Sequence, residues 1–547
     1  MFKDLLDKIR AKNKGTLPLE DQVRGLLRAL GKVQEDKKMG SDLLFMVTYM
    51  DSLAISHATR PEIFAYGAER SEYVSSKYIK KVDTFVKRWN YSYAEALSIV
   101  AERTKNEILQ NMLNRFSNSI ESGVPDEDFL NSELFQVRSV YRSQIEQGFE
   151  LLKKWGDAYI AMLLSSTVIA VTLMISIAIY SPEGIDATLN MAYMIVLAVS
   201  VFGVTLMYRS VPYDEKTHGL KEWRSKEQIT IMRMERIMVP VAVVAALALF
   251  ISGVNRGFIF LIVGIILLPL GIIGFIDDSN ITSRDADFSM FIRSFGAVMG
   301  GQSTTSVYAL AKVDRKSLRQ LEPLINSVYT KLNLGLDEKT VWDRFIGETG
   351  SNLIYKYLNI FRDTVTLGGP PEPIGKIVGS SMLEMVLLRD KKDMLAKSFI
   401  VLLIPMHVAM AAIFVALFEI MVVLTDSVGS MMKQFQSVAA STSASGGVSL
   451  SSVMGGGGML NMFVNFPKDA MNTYVVIILT ITTASNVLAA RIVGGGDRYM
   501  YYFYAALFCI LTGIVFIAVP PAVNIFFSPQ NLVGAGAGMT SVATGGT

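Results

Sequence analysis

Cysteine is nearly absent from this 547-residue chain: Cys509 stands alone, which excludes an internal disulfide framework. Three histidines (His57, His218 and His407) leave too few ligands for a Cys/His zinc centre. Charge is scarce as well. Asp, Glu, Lys and Arg make up 18% of the chain, against about 25% in soluble proteins. Neither sign dominates, since 52 basic residues face 49 acidic ones for a net charge of +3. That balance excludes a nucleic-acid-binding protein built on a basic field. No GxxxxGK[ST] occurs, and the GKI at 375–377 lacks the hydroxyl residue that holds magnesium in a phosphate loop. HExxH, GxSxG and cysteine-nucleophile motifs are missing too. The glycine tracts at 455–458, 494–496 and 534–538 do not lie between a strand and a helix, and read as loops or tails. No enzymatic activity, metal or cofactor is expected. The opening MFKDLLDKIRAKNK has no apolar run, so no cleaved signal peptide is expected either.

What is abundant is apolar sequence, at 51% hydrophobic residues and a mean hydropathy of +0.37. Seven stretches are long and apolar enough to cross about 30 Å of hydrocarbon. They lie near 158–180, 187–208, 237–253, 257–276, 398–424, 473–490 and 500–521. The run at 42–56 is interrupted by Asp42 and Asp51 and reads as a soluble amphipathic helix. Of the 52 Lys and Arg residues, 49 fall in 1–157, 209–236, 277–397 or 491–499. Seven alternating spans put all four segments on one side, and the short loops carry most weight under the positive-inside rule. The expected protein is multi-pass in the cell (cytoplasmic) membrane, with its N-terminus cytoplasmic and its C-terminus outside.

The water-exposed sequence divides into blocks. A cytoplasmic N-terminal helical region covers 1–83 and a first helical bundle 84–157. Spans 158–208, a cytoplasmic loop 209–236 and spans 237–276 follow, then a second bundle 277–397. After the span 398–424 come a Gly/Ser-rich outer loop 425–472, spans 473–521 and an uncharged outer tail 522–547. In the first bundle Leu97, Val100, Thr104, Ile108, Met112, Phe116 and Ile120 recur at helical spacing, with Gly123 and Pro125 as a stop. A second helix is expected from about Ser132. In the second bundle Leu318, Leu321, Ile325, Val328 and Leu332 predict one helix closed by Gly335, and Asp337 caps the next. A further helix ends at the GGPPEP turn of 368–373, and the one after it runs into the fifth span. The two blocks share a loose order: FVKRW (85–89) and FIRSF (291–295), then Ala-Leu, then a closing glycine. Neither shows useful period-two alternation, so the fold class is all-α.

Ionisable and polar groups inside spans are default functional candidates. His407 and Glu419 lie 12 residues apart in the fifth span, about 120° apart in azimuth and 18 Å in height. They do not share a face. Asn486, with Thr480, Thr482, Thr483 and Ser485, is the other polar cluster, and small polar residues commonly act as packing glue between spans. A transporter would need matched halves with broken helices. Four spans precede the second bundle and three follow it, which leaves transport as the alternative of another class.

YMDSLAISHATRPEIFAYGAE (49–69) resembles the N-terminal cytoplasmic region of archaeal membrane platform proteins. AEALSIVAERTKNEILQNMLNRFSNSIESGVPDEDFLNSE (94–133) is similar to the first domain of the type II secretion F family, including Ser122-Gly123 and Phe129-Leu130. The second copy resembles 288–397, where TLGGPPEPIGKIVGSSM (366–382) is similar to archaellum-type members of the type IV pilus platform superfamily. The resemblance implies a membrane platform, dimeric, seated on a cytoplasmic hexameric ATPase and acting with further motor accessory proteins. Such a platform moves or admits prepilin-like filament subunits (archaellins or pilins) and, in an archaellum, transmits rotation. An adhesion-pilus or secretion platform is the nearest alternative. Basic clusters are then candidates for contact with the ATPase: Arg315, Lys316 and Arg319 in one helix; Arg389, Lys391 and Lys392 at the entry to the fifth span; and Arg224, Lys226, Arg233 and Arg236 in the 209–236 loop. A charge run is more commonly a solvated face or an anchor to membrane lipids.

Overall fold

Asp42 and Asp51, which interrupt an apolar run, lie at the centre of the water-exposed part of the molecule. The computed structural model describes residues 18–180, 185–220, 222–302, 305–442 and 466–527. The opening segment, residues 443–465 of the outer loop and residues 528–547 of the tail lie outside that range. Among the described residues there are sixteen α-helices and no strand, only an isolated bridge between Thr217 and Ser351.

α1 (Pro18–Ile55), α2 (Arg60–Glu69), α3 (Ser76–Trp89), α4 (Tyr93–Glu102) and α5 (Glu107–Glu121) precede α6 (Asp126–Tyr180). α7 (Ile185–Ser210), α8 (Lys226–Ile251) and α9 (Arg256–Gln302) follow. Next come α10 (Ser306–Lys312), α11 (Glu322–Asn333), α12 (Glu338–Thr349) and α13 (Asn352–Thr366). α14 (Pro371–Thr442), α15 (Lys468–Gly494) and α16 (Met500–Phe526) complete the order. Local chemistry sets the starts. Ser92 and Glu95 form a capping box on α4, Asn106 Oδ1 accepts from Leu109 N at 3.2 Å, and Asp337 Oδ2 accepts from Thr340 N at 2.8 Å. Gly123 and Gly335 take φ of +74° and +76° after α5 and α11, the left-handed stop that glycine adopts at little cost.

Five details differ from the sequence pattern. The periodic stretch 97–120 is two helices: the Thr104 hydroxyl bonds Val100 O at 2.7 Å, and Asn106 caps a new start. α6 begins at Asp126, directly after Pro125. Arg315, Lys316 and Arg319 do not share a helix, because Asp314 caps a single 3₁₀ turn at Arg315–Ser317 and α11 starts only at Glu322. The stretch 42–56 is not amphipathic, since every residue from Asp42 to Ala54 is buried. Further on, residues 425–442 of the expected outer loop continue α14 as helix.

That buried stretch of α1 joins the two blocks. Leu44, Met46, Met50 and Leu53 share one apolar cluster with Leu97, Leu113 and Phe116 of the first block and with Phe288, Leu310, Ile325, Tyr357 and Met382 of the second. The water-exposed part therefore has one core rather than two. The repeated Ala-Leu pairs, Ala96-Leu97 and Ala309-Leu310, both lie in it fully buried.

Seven helices carry an apolar stretch long enough to cross a membrane: α6, α7, α8, α9, α14, α15 and α16. Three of them, α6, α9 and α14, run without interruption from the helical head into the spans, over 55, 47 and 72 residues. At 1.5 Å per residue the longest reaches about 110 Å. Gly257, Gly264 and Gly271 repeat every seventh residue of α9 and bring it against the backbone of α16. A Cβ on Gly264 would lie 2.6 Å from Ile510 Cγ1 and 3.0 Å from Ala506 O. α8 packs chiefly on α9 and leaves Val241, Val244, Leu247 and Phe250 exposed, as a helix bordered by lipid does.

Candidate functional site

The connection between α7 and α8 is held by ion pairs where the head meets the spans. Arg389, on α14 and 5% exposed, grips Asp214 with Nε and Nη2 at 2.7–3.1 Å and places Nη1 2.7 Å from Asp285 Oδ2. Its Nη2 also donates to Glu215 O at 2.9 Å. Asp285, on α9, accepts the hydroxyl of Ser351, whose oxygen in turn accepts from Ile354 N as the cap of α13. Lys216 Nζ lies 2.8 Å from Asp278 Oδ2 and 3.8 Å from Asp393 Oδ2. Ser225, the N-cap of α8, and Gln228 donate to Asp277. The backbone adds Asn352 N to Lys216 O at 2.9 Å and His218 N to Gly350 O at 3.3 Å. One loop thus ties α8, α9, α13 and α14 together.

Electrostatics follow from that arrangement. Burial opposes the Asp214 charge, but the Arg389 guanidinium and Lys392 outweigh it and hold the carboxyl at about 2. Asp285 shares the same guanidinium with only one oxygen, so burial prevails there and pushes it up to about 6. Burial also raises Asp277 to about 6, against the hydroxyl of Ser225 and the amide of Gln228. Lys392 is lowered by burial. A second pair lies within the head: Lys356 Nζ is 2.9 Å from Asp42 Oδ1 and 4.3 Å from the centre of the Phe45 ring. Asp51, one turn and a half beyond that ring, has both carboxylate oxygens buried without a hydrogen-bond partner among the described residues.

The basic clusters separate accordingly. Arg389 is inside the molecule and paired, and Lys392 is buried beside it, so neither is a surface contact; Lys391 alone of its trio is exposed, 2.8 Å from Glu146. Arg315 is half-buried over the Tyr329 ring and donates to Asn326 Oδ1, whereas Lys316 and Arg319 are exposed. Lys226, Arg233 and Arg236 are exposed along α8, and Arg224 is half-buried with Nη1 3.1 Å from Met232 Sδ.

Within the spans, His407 and Asn486 come together. Tyr159 of α6 donates to Asn486 Oδ1 at 2.9 Å, and Asn486 Nδ2 donates to His407 Nδ1 at 3.0 Å. His407 Nε2 lies 2.8 Å from Thr512 Oγ1, which itself bonds Phe508 O. With Nδ1 accepting, the proton sits on Nε2, and each donor in the chain meets an acceptor. Four helices are thereby joined by neutral hydrogen bonds, an arrangement suited to packing. Glu419 lies apart and accepts from Asn524 at 3.1 Å. Sequence reasoning missed Tyr159 and Thr512, which lie in other spans. It also missed Asp214 and Lys216, charged residues just after the apolar stretch 187–208, and Asp285, which no local signal marks.

Seven apolar helices under one helical head, with head helices continuing into spans, define a multi-pass all-α membrane protein. Among the described residues no group of three or more His, Cys, Asp or Glu is placed to hold a metal ion. In sequence the chain is similar to a protein of Methanocaldococcus jannaschii named flagella accessory protein J, with 22% identity over 383 residues, covering 67% of each chain. It is also similar to the protein of the same name from Methanococcus voltae, with 23% identity over 332 residues, covering 57% of this chain and 58% of that one. These relatives bear out the archaellum-type resemblance carried by residues 49–69, 94–133 and 366–382. No family model matches the chain. No solved structure matches it.

Proposed function

We propose that this chain is the membrane platform of an archaeal filament machine of the archaellum type, passing motion from a cytoplasmic hexameric ATPase to a filament of prepilin-like subunits. The observation that carries the reading is the continuity of α6, α9 and α14 between head and spans. A helix bends less readily than a loop, so a force on the head is delivered to the membrane part along three unbroken helices, two of them with a proline as the point of bending, Pro269 in α9 and Pro405 in α14. The flagella accessory name of the two relatives supports the archaellum over the adhesion-pilus or secretion alternatives.

In this reading the platform is not an enzyme and takes its energy from the ATPase. The head faces the cytoplasm, as the placement of 49 of 52 basic residues favours, with the N-terminus inside and the C-terminus outside. Two copies assemble with the motor accessory proteins. Lys316, Arg319, Lys391, Lys226, Arg233 and Arg236 are the exposed cations offered to an acidic rim.

Co-purification tests the reading. The full chain, extracted in detergent, retains a hexameric ATPase, and reversal of Lys316 and Arg319 or of Lys226, Arg233 and Arg236 to Glu weakens that retention. Absence of an ATPase, together with solute uptake by the chain alone in liposomes, would replace the platform with the transporter alternative.

A further inference from the structure

A cavity of about 570 Å³ opens where the head meets the end of the second span. The ion pairs of the α7–α8 connection do not use it. Its charged residues come from three elements: Lys37 of α1, Lys105 and Glu107 at the entry to α5, and Arg209 at the end of α7. Three cations thus face one carboxylate, and among the described residues none of the four forms an ion pair. Lys37 Nζ donates to Tyr208 O at 3.0 Å and Val211 O at 3.4 Å, which pins it to the final turn of α7 without giving it a counter-anion among the described residues. A cation at a helix C-terminus is well placed. Ile108, Ile145 and Pro212 provide an apolar wall beside the charges.

Depth identifies the occupant. Arg209 is the first charged residue after the apolar stretch 187–208, so the cavity lies at the level of the lipid headgroups rather than out in the water. An opening of this size suits a headgroup and its glycerol, and is small for a folded segment of another protein. Basic pockets at the cytoplasmic ends of spans bind anionic headgroups through charge and hydrogen bonds together.

We propose that this cavity holds the phosphate of an anionic membrane lipid from the leaflet next to the head, with Lys37, Lys105 and Arg209 as its counter-charges. The lipid bridges α1, α5 and α7, three elements from separate parts of the chain. Glu107 faces the polar end of the headgroup, where it accepts from hydroxyls. The head is thereby fastened to the membrane surface at a point remote from the Arg389 pairs.

The test uses the purified, delipidated full chain in detergent and counts retained lipid by native mass spectrometry. Phosphatidylglycerol is retained in preference to phosphatidylcholine. Lys105→Gln and Arg209→Gln each lower phosphatidylglycerol retention about five-fold and together about 25-fold, from about 1 kcal/mol per cation near a membrane surface. Both side chains are exposed, so these variants keep the wild-type circular dichroism spectrum, and Lys105→Arg retains the lipid. Lys312→Gln, an exposed cation elsewhere on the head, leaves lipid retention as in wild type. Equal retention of the two lipids, or a double variant that binds like wild type, overturns the proposal. Displacement of the lipid by excess inorganic phosphate also overturns it, because it would mark a site for a soluble anion.

Discussion

Replacing Asp51 by Asn should change how the stability of this protein depends on pH. Asp51 is 0% exposed, in the part of α1 that both blocks pack against, and neither carboxylate oxygen has a hydrogen-bond partner among the described residues. Burial pushes its carboxyl up to about 7, with Arg138 opposing that rise and Glu127 adding to it. In the unfolded chain the same group titrates near 3.9. The folded state therefore holds the proton more tightly. Its contribution is complete below about pH 4, declines as pH rises to about 7, and is level above that. Three units at 1.36 kcal/mol each amount to about 4 kcal/mol across the window. Asn carries no charge and lacks this dependence, although its buried amide costs about 1–3 kcal/mol if unpaired. The variant is thus close to wild type in stability at pH 5 and more stable at pH 8. Thermal unfolding of the full chain in one detergent, from pH 5 to pH 8.5, reads the difference directly. Parallel melting-temperature profiles for the two proteins would refute the reasoning.

Three further outcomes follow from packing and pairing. Arg389→Met leaves Asp214 and Asp285 buried without their cation and costs about 3–5 kcal/mol, with faster amide exchange at residues 213–218 as the local readout. Gly264→Leu forces α9 away from Ile510 and Ala506 of α16 and costs about 1–3 kcal/mol or more, whereas Gly301→Ala, on the same helix with open space around it, does not loosen the pair; cross-linking between engineered cysteines on α9 and α16 distinguishes the two. Asn486→Leu removes the link between Tyr159 and His407 at a cost of about 0.6–1.7 kcal/mol. It lowers the melting temperature in detergent without altering ATPase retention.

The spans were legible in the sequence because an apolar run of some 20 residues has few other readings: six of the seven stretches fall within α6, α7, α9 and α14–α16, and the stretch 237–253 overruns the end of α8 by two residues. The stops at Gly123 and Gly335 were legible for a similar local reason: left-handed backbone favours glycine. Periodicity misled at 97–120 because two helices meeting at Thr104 and Asn106 preserve roughly the same spacing of buried residues. It misled at 42–54 because an Asp in an apolar run suggests a solvent-facing edge, and only tertiary structure supplies Lys356 as the partner of Asp42. The basic residues at 389–392 were hardest to read. Composition records a cluster, but whether a guanidinium faces water or two carboxylates from 175 and 104 residues away is decided by the fold. His407 and Asn486 were singled out by type, and their meeting through Tyr159 and Thr512 needed four spans in place.

The α7–α8 connection also sets an order of events during synthesis. Asp214 leaves the ribosome 175 residues before Arg389, a delay of about 9–35 s at ordinary elongation rates. Two spans precede this connection and two more enter the membrane before Ser351, Asn352 and Arg389 exist. Throughout that interval Asp214 is without its cation, while Lys216 gains Asp278 as soon as α9 is made. The head closes over it only when α13 and the start of α14 arrive, so a chain halted before residue 352 carries four inserted spans whose connecting loop is held to α9 alone, through Asp277 and Asp278.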